Sequence, residues 1–145
     1  MTKPRVVLDT NILVAGLSSR LGASHQLLLR CRNDEFRLLV SIPLWLEYEA
    51  VLKRDEMRKL HGLSAKKVDV FLNSLVLFCD PITLHYLWRP QLSDANDEMV
   101  LETVLNGQAD ALVTFNVADF EPVVKQFAVN LIQPRVFLEQ LKEKK

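Results

Sequence analysis

Arg5-Val6-Val7-Leu8 is an apolar, β-branched run without polar alternation, and it stops on Asp9. A strand with one wet face alternates apolar and polar residues. An unbroken run belongs instead to a strand buried on both faces, the situation of a parallel sheet. Parallel strands must be joined by long crossovers, usually helices, and the rest of the chain supplies that alternation. Further strand candidates fall at 36–40, 111–114 and 129–132, with another extended segment at 81–87. Between them, apolar residues recur at helical spacing over 11–17, 24–33, 43–53, 65–77 and 97–106, and 120–127 holds one or two helical turns. Ser41-Ile42-Pro43 and Ser64 read as helix starts, and Gly107 as a helix stop. A last helix opens at Pro134, with Val136, Phe137, Leu138 and Leu141 facing inward. The predicted order is β-α-α-β-α-α-β-α-β-α-β-α. This is an α/β fold in which right-handed crossovers place helices on both faces of an open parallel sheet.

Composition fits one domain spanning 1–145. Only 4 glycines in 145 residues are too few for the tight turns of an all-β fold. Apolar residues make up 49% of the chain, enough to fill one core. Lys plus Arg and Asp plus Glu each number 18, so the net charge is zero. That excludes a histone-like polycation and an acidic disordered tail, but not a local basic patch. No apolar run approaches the roughly 18 residues that span a bilayer. Met1-Thr2-Lys3-Pro4-Arg5 leads into the first strand with no long apolar leader. The expectation is a soluble cytoplasmic protein without membrane contact. Cys31 and Cys79 form no C-x-x-C pair and read as buried thiols. His25, His61 and His85 are scattered and suggest no nucleophilic triad. Chemistry therefore falls to the carboxylates.

In an open parallel sheet, function sits at the carboxyl ends of the strands. Asp9 follows the first strand and Asn11 opens the next helix. Glu47 lies one turn into the helix after strand two. Asp97 begins the helix before strand four, flanked by Asp94 and Glu98. Thr114, Asn116 and Asp119 follow strand four. Each has an ordinary structural role open to it: Asp9 and Asp97 also suit helix caps. Together they converge on one edge, where crowded carboxylates repel unless a cation neutralises them. Hard oxygen donors of this kind suit Mg²⁺ or Mn²⁺. Such ions activate water for attack at phosphorus, so phosphodiester hydrolysis is the natural reaction class.

Several segments carry a resemblance along nearly the whole chain: Val6-Val7-Leu8-Asp9-Thr10-Asn11, Ser41 through Glu47 to Leu52, Asp94-Ala95-Asn96-Asp97-Glu98, Ala109-Asp110-Ala111-Leu112-Val113-Thr114, and Pro134-Arg135-Val136-Phe137-Leu138. In this order the sequence resembles the PIN domain family, close to the VapC-like toxin components of toxin–antitoxin systems. The resemblance implies a three-layer α/β/α sandwich around a parallel sheet of about five strands, and a Mg²⁺- or Mn²⁺-dependent ribonuclease. By position, Asp9, Glu47 and Asp97 match the family's first three acids, with Asp9 as the central ligand. Asn11 and Thr114 match the flanking polar residues. The family's fourth acid falls two residues after the Thr, where this chain has Asn116, which can offer an amide oxygen but no charge. Asp119 then takes the following acidic position and caps a turn. The resemblance further implies a homodimer and an inhibitory antitoxin.

An RNA substrate needs cations near the acids. Lys53, Arg54, Arg58, Lys59, Lys66 and Lys67 form the best local cluster, otherwise readable as a solvated face of two helices and their loop. Trp45, Tyr48 and Trp88 are candidates for stacking on unpaired bases, and Trp45 and Tyr48 equally suit a core or a dimer interface. Single-stranded or loop RNA is the expected substrate. The alternative, which Asn116 supports, is a catalytically weak or inactive PIN-like module that binds RNA or protein. A phosphatase of the haloacid type would need an Asp two residues after Asp9, where Asn11 stands.

Overall fold

A computed structural model describes residues 3–85 and 94–143. Among them are five parallel strands: β1 (Arg5–Leu8), β2 (Arg37–Val40), β3 (Cys79–Pro81), β4 (Ala111–Val113) and β5 (Asn130–Ile132). The helices are α1 (Thr10–Ser18), α2 (Ala23–Arg32), α3 (Ile42–Leu52), α4 (Asp55–His61), α5 (Ala65–Leu75), α6 (Ala95–Gly107), α7 (Val117–Val124) and α8 (Pro134–Glu143). The α/β class with a five-stranded parallel sheet is as the sequence predicts.

The sheet order is β3-β2-β1-β4-β5. From β1 the chain moves outward through β2 to β3, then crosses back to β4 and continues to β5. The winding therefore reverses between β1 and β4, which pair in register from Val6↔Ala111 to Leu8↔Val113. A crevice opens at such a switch point, outside the carboxyl ends of the two strands. Right-handed crossovers require α1 to α5 on one face of the sheet and α6 and α7 on the other. The central strands explain their own composition: Val6, Val7, Leu8, Leu38, Leu39, Leu112 and Val113 are buried from both sides.

Val136 of α8, expected to face inward, is 45% exposed, while Phe137, Leu138 and Leu141 are buried. Three further expectations are corrected. The third strand lies at Cys79–Pro81 and not at 81–87; residues 82–85 are not strand, and 86–87 lie outside the described residues. It is a short edge strand, and it is fixed from outside: the Arg37 guanidinium reaches the Asp80 carboxylate at 2.9 Å and the Cys79 carbonyl at 3.2 Å. Second, the segment after Lys53 is not simply a loop but contains α4, which the sequence reading omits. His61 ends it: Nε2–H donates to the Leu52 carbonyl at 2.8 Å and Nδ1 accepts from the Leu63 N–H at 3.0 Å. Gly62 then turns the chain at φ 75°, in the left-handed region where glycine has no Cβ penalty. Third, Gly107 does not stop α6 but belongs to it, and Gln108 takes the left-handed position at φ 50°. Gly107 is instead a close-approach residue, since a Cβ there would meet Leu39 and Ile82 side chains at 3.1 Å.

Candidate active site

The switch point is occupied by Asp9. The Asp9 N–H completes the sheet by donating to the Val113 carbonyl at 3.0 Å. Its side chain is 7% exposed. Although Asp9 stands at the N-cap position of α1, its carboxylate makes no cap bond to that helix, so capping does not account for it. Instead the Thr114 hydroxyl, at the end of β4, donates to Asp9 Oδ2 at 2.6 Å. The same hydroxyl accepts from the Asn116 N–H at 3.0 Å. One buried threonine thus ties the acid after β1 to the turn after β4, across the reversal of the sheet. From below, the buried Tyr48 hydroxyl donates to the Leu8 carbonyl and holds the end of β1.

Around Asp9 opens a cleft of about 520 Å³. It brings together Asp9, Asn11, Glu47, Asp97 and Asn116, drawn from α1, α3, α6 and the turn after β4. Glu47 is 9% exposed although it carries a charge. Asp97 sits in the first turn of α6, but the cap there is Asp94, whose Oδ1 accepts from the Asn96 N–H at 2.8 Å. Asp94 also lines the cleft. Glu98 is buried and Asp119 is exposed at the start of α7; neither is among the residues lining the cleft. Asp119 takes part in a turn, donating its N–H to the Asn116 carbonyl at 3.0 Å. Thr114 is not among the lining residues but is bonded to two that are, Asp9 and Asn116.

The electrostatics are those of an acid cluster short of counter-charge. Burial lifts the Asp9 carboxyl above its usual range, against the hydrogen bond from Thr114, and Asp94 and Asp119 add to the lift. Asp97 is pushed up to about 6 by burial first, then by the charges of Asp9, Asp94, Asp119 and Glu98. The Asn11 amide oxygen is buried without a hydrogen-bond partner. An orphaned acceptor beside carboxylates that resist ionisation is the donor chemistry of a hard cation. Among the described residues no three Asp, Glu, His or Cys side chains stand ready to enclose one ion directly. Mg²⁺ does not require that, since it keeps several waters and takes one or two carboxylates. The residues fit such an ion, with Asp9 and Asn11 nearest the strand end and Glu47, Asp97 and Asn116 around the cleft.

The raised acids make a stability prediction. Folded Asp97 holds its proton up to about 6, above the ordinary 3.8, so between those values the folded state binds more protons than the unfolded chain, and the stabilisation is full below 3.8. That favourable contribution is lost as pH rises from 3.8 through about 6. Thermal melts of the metal-free protein should show Tm falling across this window. Asp97→Asn should flatten the fall and raise Tm at neutral pH. An equally steep fall in the variant would contradict the assignment.

A family model described as PIN domain matches residues 5–118. The chain belongs to the PIN domain family. The match spans β1 through the turn after β4 that holds Asn116, and so includes every residue around the cleft. PIN domains are generally nucleases and typically bind a divalent metal. No curated protein matches the chain.

Two further residues join the predicted acids in the cleft of this PIN domain, one missed by sequence reasoning and one expected only as part of the basic cluster. Phe115, 46% exposed between Thr114 and Asn116, offers an aromatic face in the cleft. Arg54 lines the cleft as well, and its Nη2 lies 3.8 Å from Glu47 Oε1. Arg54 is not helical: it stands at the N-cap position of α4 with extended backbone (φ −64°, ψ 142°), just beyond the end of α3. The aromatic residues proposed for stacking are placed elsewhere. Tyr48 is fully buried, and Trp45 packs edge-on against it with centroids 6.2 Å apart, beside a separate apolar groove with Ile42, Leu46 and Val76. Trp88 lies outside the described residues.

Proposed function

We propose that this PIN domain is a Mg²⁺- or Mn²⁺-dependent endoribonuclease acting on single-stranded or loop RNA. The observation that carries the proposal is the Asp9 carboxylate: buried, unused as a cap, held by Thr114, and sharing one cleft with Glu47 and Asp97. Asp9 and Asn11 would hold the ion, with Glu47, Asp97 and Asn116 completing its surroundings directly or through water. When bound, the ion supplies activation of water and neutralisation of charge developing on the phosphate. Glu47 or Asp97 then orients the attacking water as it loses its proton. The cleft is open to an extended backbone and carries Phe115 for an unstacked base, which favours unpaired RNA over duplex.

By its resemblance, the protein is the toxin of a toxin–antitoxin pair, a homodimer restrained by a small antitoxin and acting in the cytoplasm. Among the described residues no helix is long and apolar enough to cross a membrane.

The test is incubation of the purified protein with a pool of structured and single-stranded RNAs under Mn²⁺, under Mg²⁺ and under EDTA. Cleavage within unpaired segments that EDTA abolishes is the expected result. Folded protein that binds these RNAs and cleaves none under either metal would replace the nuclease with a PIN-like binding module. Asn116→Asp would then be the variant to restore cleavage.

A further inference from the structure

Among the described residues, Arg54 is the sole Lys or Arg lining the acidic cleft. Its neighbours in sequence are engaged elsewhere: Lys53 with Glu49 at 3.1 Å and Asp69 at 2.7 Å, and Arg58 with Asp55 at 3.8 Å. Arg54 instead faces Glu47, at a separation too long for a hydrogen bond. The pair is lopsided, since the Glu47 side chain is 8% exposed and the Arg54 side chain 48%. Arg54 can withdraw into water cheaply, whereas Glu47 stays in the cleft and needs a counter-charge. The backbone at Arg54 is fixed, its carbonyl accepting from the Met57 N–H at 3.0 Å and the Arg58 N–H at 2.9 Å. The side chain therefore swings from a firm anchor.

We propose that Arg54 is a resident counter-ion that competes with the divalent cation for Glu47 and, once displaced, binds a phosphate of the RNA. The proposal rests on the metal-dependent ribonuclease reading above. A guanidinium and a divalent ion near one carboxylate repel each other, so the ion's arrival favours the arginine's departure. The released guanidinium then carries donors in a fork that matches two phosphate oxygens. It supplies cationic attraction on the wall of a cleft whose carboxylates otherwise repel a polyanion. Metal and substrate are thereby coupled through one side chain: the metal frees the group that receives the phosphate.

The test measures two opposite changes. Calorimetric titration with Mn²⁺ alone should show Arg54→Gln binding the ion roughly three- to tenfold more tightly than wild type, because a competing charge is gone. On single-stranded RNA with saturating Mn²⁺, the same variant should lose roughly tenfold or more in kcat/KM. Arg54→Lys should fall between the two, keeping charge but not the fork. Since Arg54 is half exposed, both variants should melt close to wild type. Wild type that binds Mn²⁺ while Arg54→Gln binds it no more tightly overturns the competition. Tighter Mn²⁺ binding with undiminished RNA cleavage overturns the phosphate role. Wild type that binds no Mn²⁺ overturns the metal-site reading beneath the proposal.

Discussion

Asp9→Asn should abolish metal-dependent RNA cleavage, with a loss on the order of 10²-fold or more. The substitution keeps the shape of the side chain and its capacity to accept from Thr114, and it removes only the charge. Asp9 is the carboxylate placed where the sheet reverses, and its oxygens are not used to cap α1. Folding holds the charge only through the Thr114 hydroxyl and the backbone of Thr10, neither of which needs a full negative charge. Because burial already works against ionised Asp9, the metal-free variant should fold at least as stably as wild type at neutral pH. Paired cleavage assays and thermal melts check both halves. Activity lost together with stability would point to a structural acid. Activity retained would remove Asp9 from the chemistry.

Thr114→Val carries the second large effect, this time on both stability and activity. Thr114 is fully buried, and its hydroxyl closes two hydrogen bonds, to Asp9 Oδ2 and from the Asn116 N–H. Valine has nearly the same shape, so packing is kept while a buried carboxylate loses its donor. Leaving a charged group unsatisfied in this way costs about 1–3 kcal/mol or more. Urea unfolding should show the destabilisation, and it should deepen as Asp9 ionises. Cleavage should fall as well, because the acid and the turn bearing Asn116 lose their common tie. Thr114→Ser retains the hydroxyl and should recover most of both. A valine variant as stable and active as wild type would show that the hydrogen bond does not position the site.

The parts of this arrangement that the sequence made readable are those set by burial on two sides. β1, β2 and β4 declare themselves as unbroken apolar runs because nothing polar is tolerated between two helical layers. Asp9, which follows β1, is then placed at the functional edge of the sheet by the topology rule. The edge of the sheet follows different physics. β3 contains Asp80 and is held by Arg37 from the neighbouring strand, a tertiary contact with no local pattern. α4 reads Asp-Glu-Met-Arg-Lys-Leu-His, a charged stretch too short to announce a helix. It is held by His61 gripping Leu52 and Leu63. Without α4, Arg54 reads only as one member of a basic cluster, and its N-cap position beside the cleft has no local signal. Trp45 and Tyr48 leave two roles open in the sequence, stacking on bases or packing in a core or dimer interface. Their chemistry suits stacking on bases, but their position on α3 turns Tyr48 into the core to support the end of β1.

The most direct measurement is an anomalous-scattering map from crystals of the wild-type protein soaked in Mn²⁺. A peak is expected in the cleft, within direct or water-mediated reach of Asp9, Asn11 and Glu47, and absent from Asp9→Asn crystals treated identically. A protein that cleaves RNA under Mn²⁺ yet shows its ion elsewhere, or an unchanged peak in the Asp9→Asn crystals, would contradict the metal-site reading.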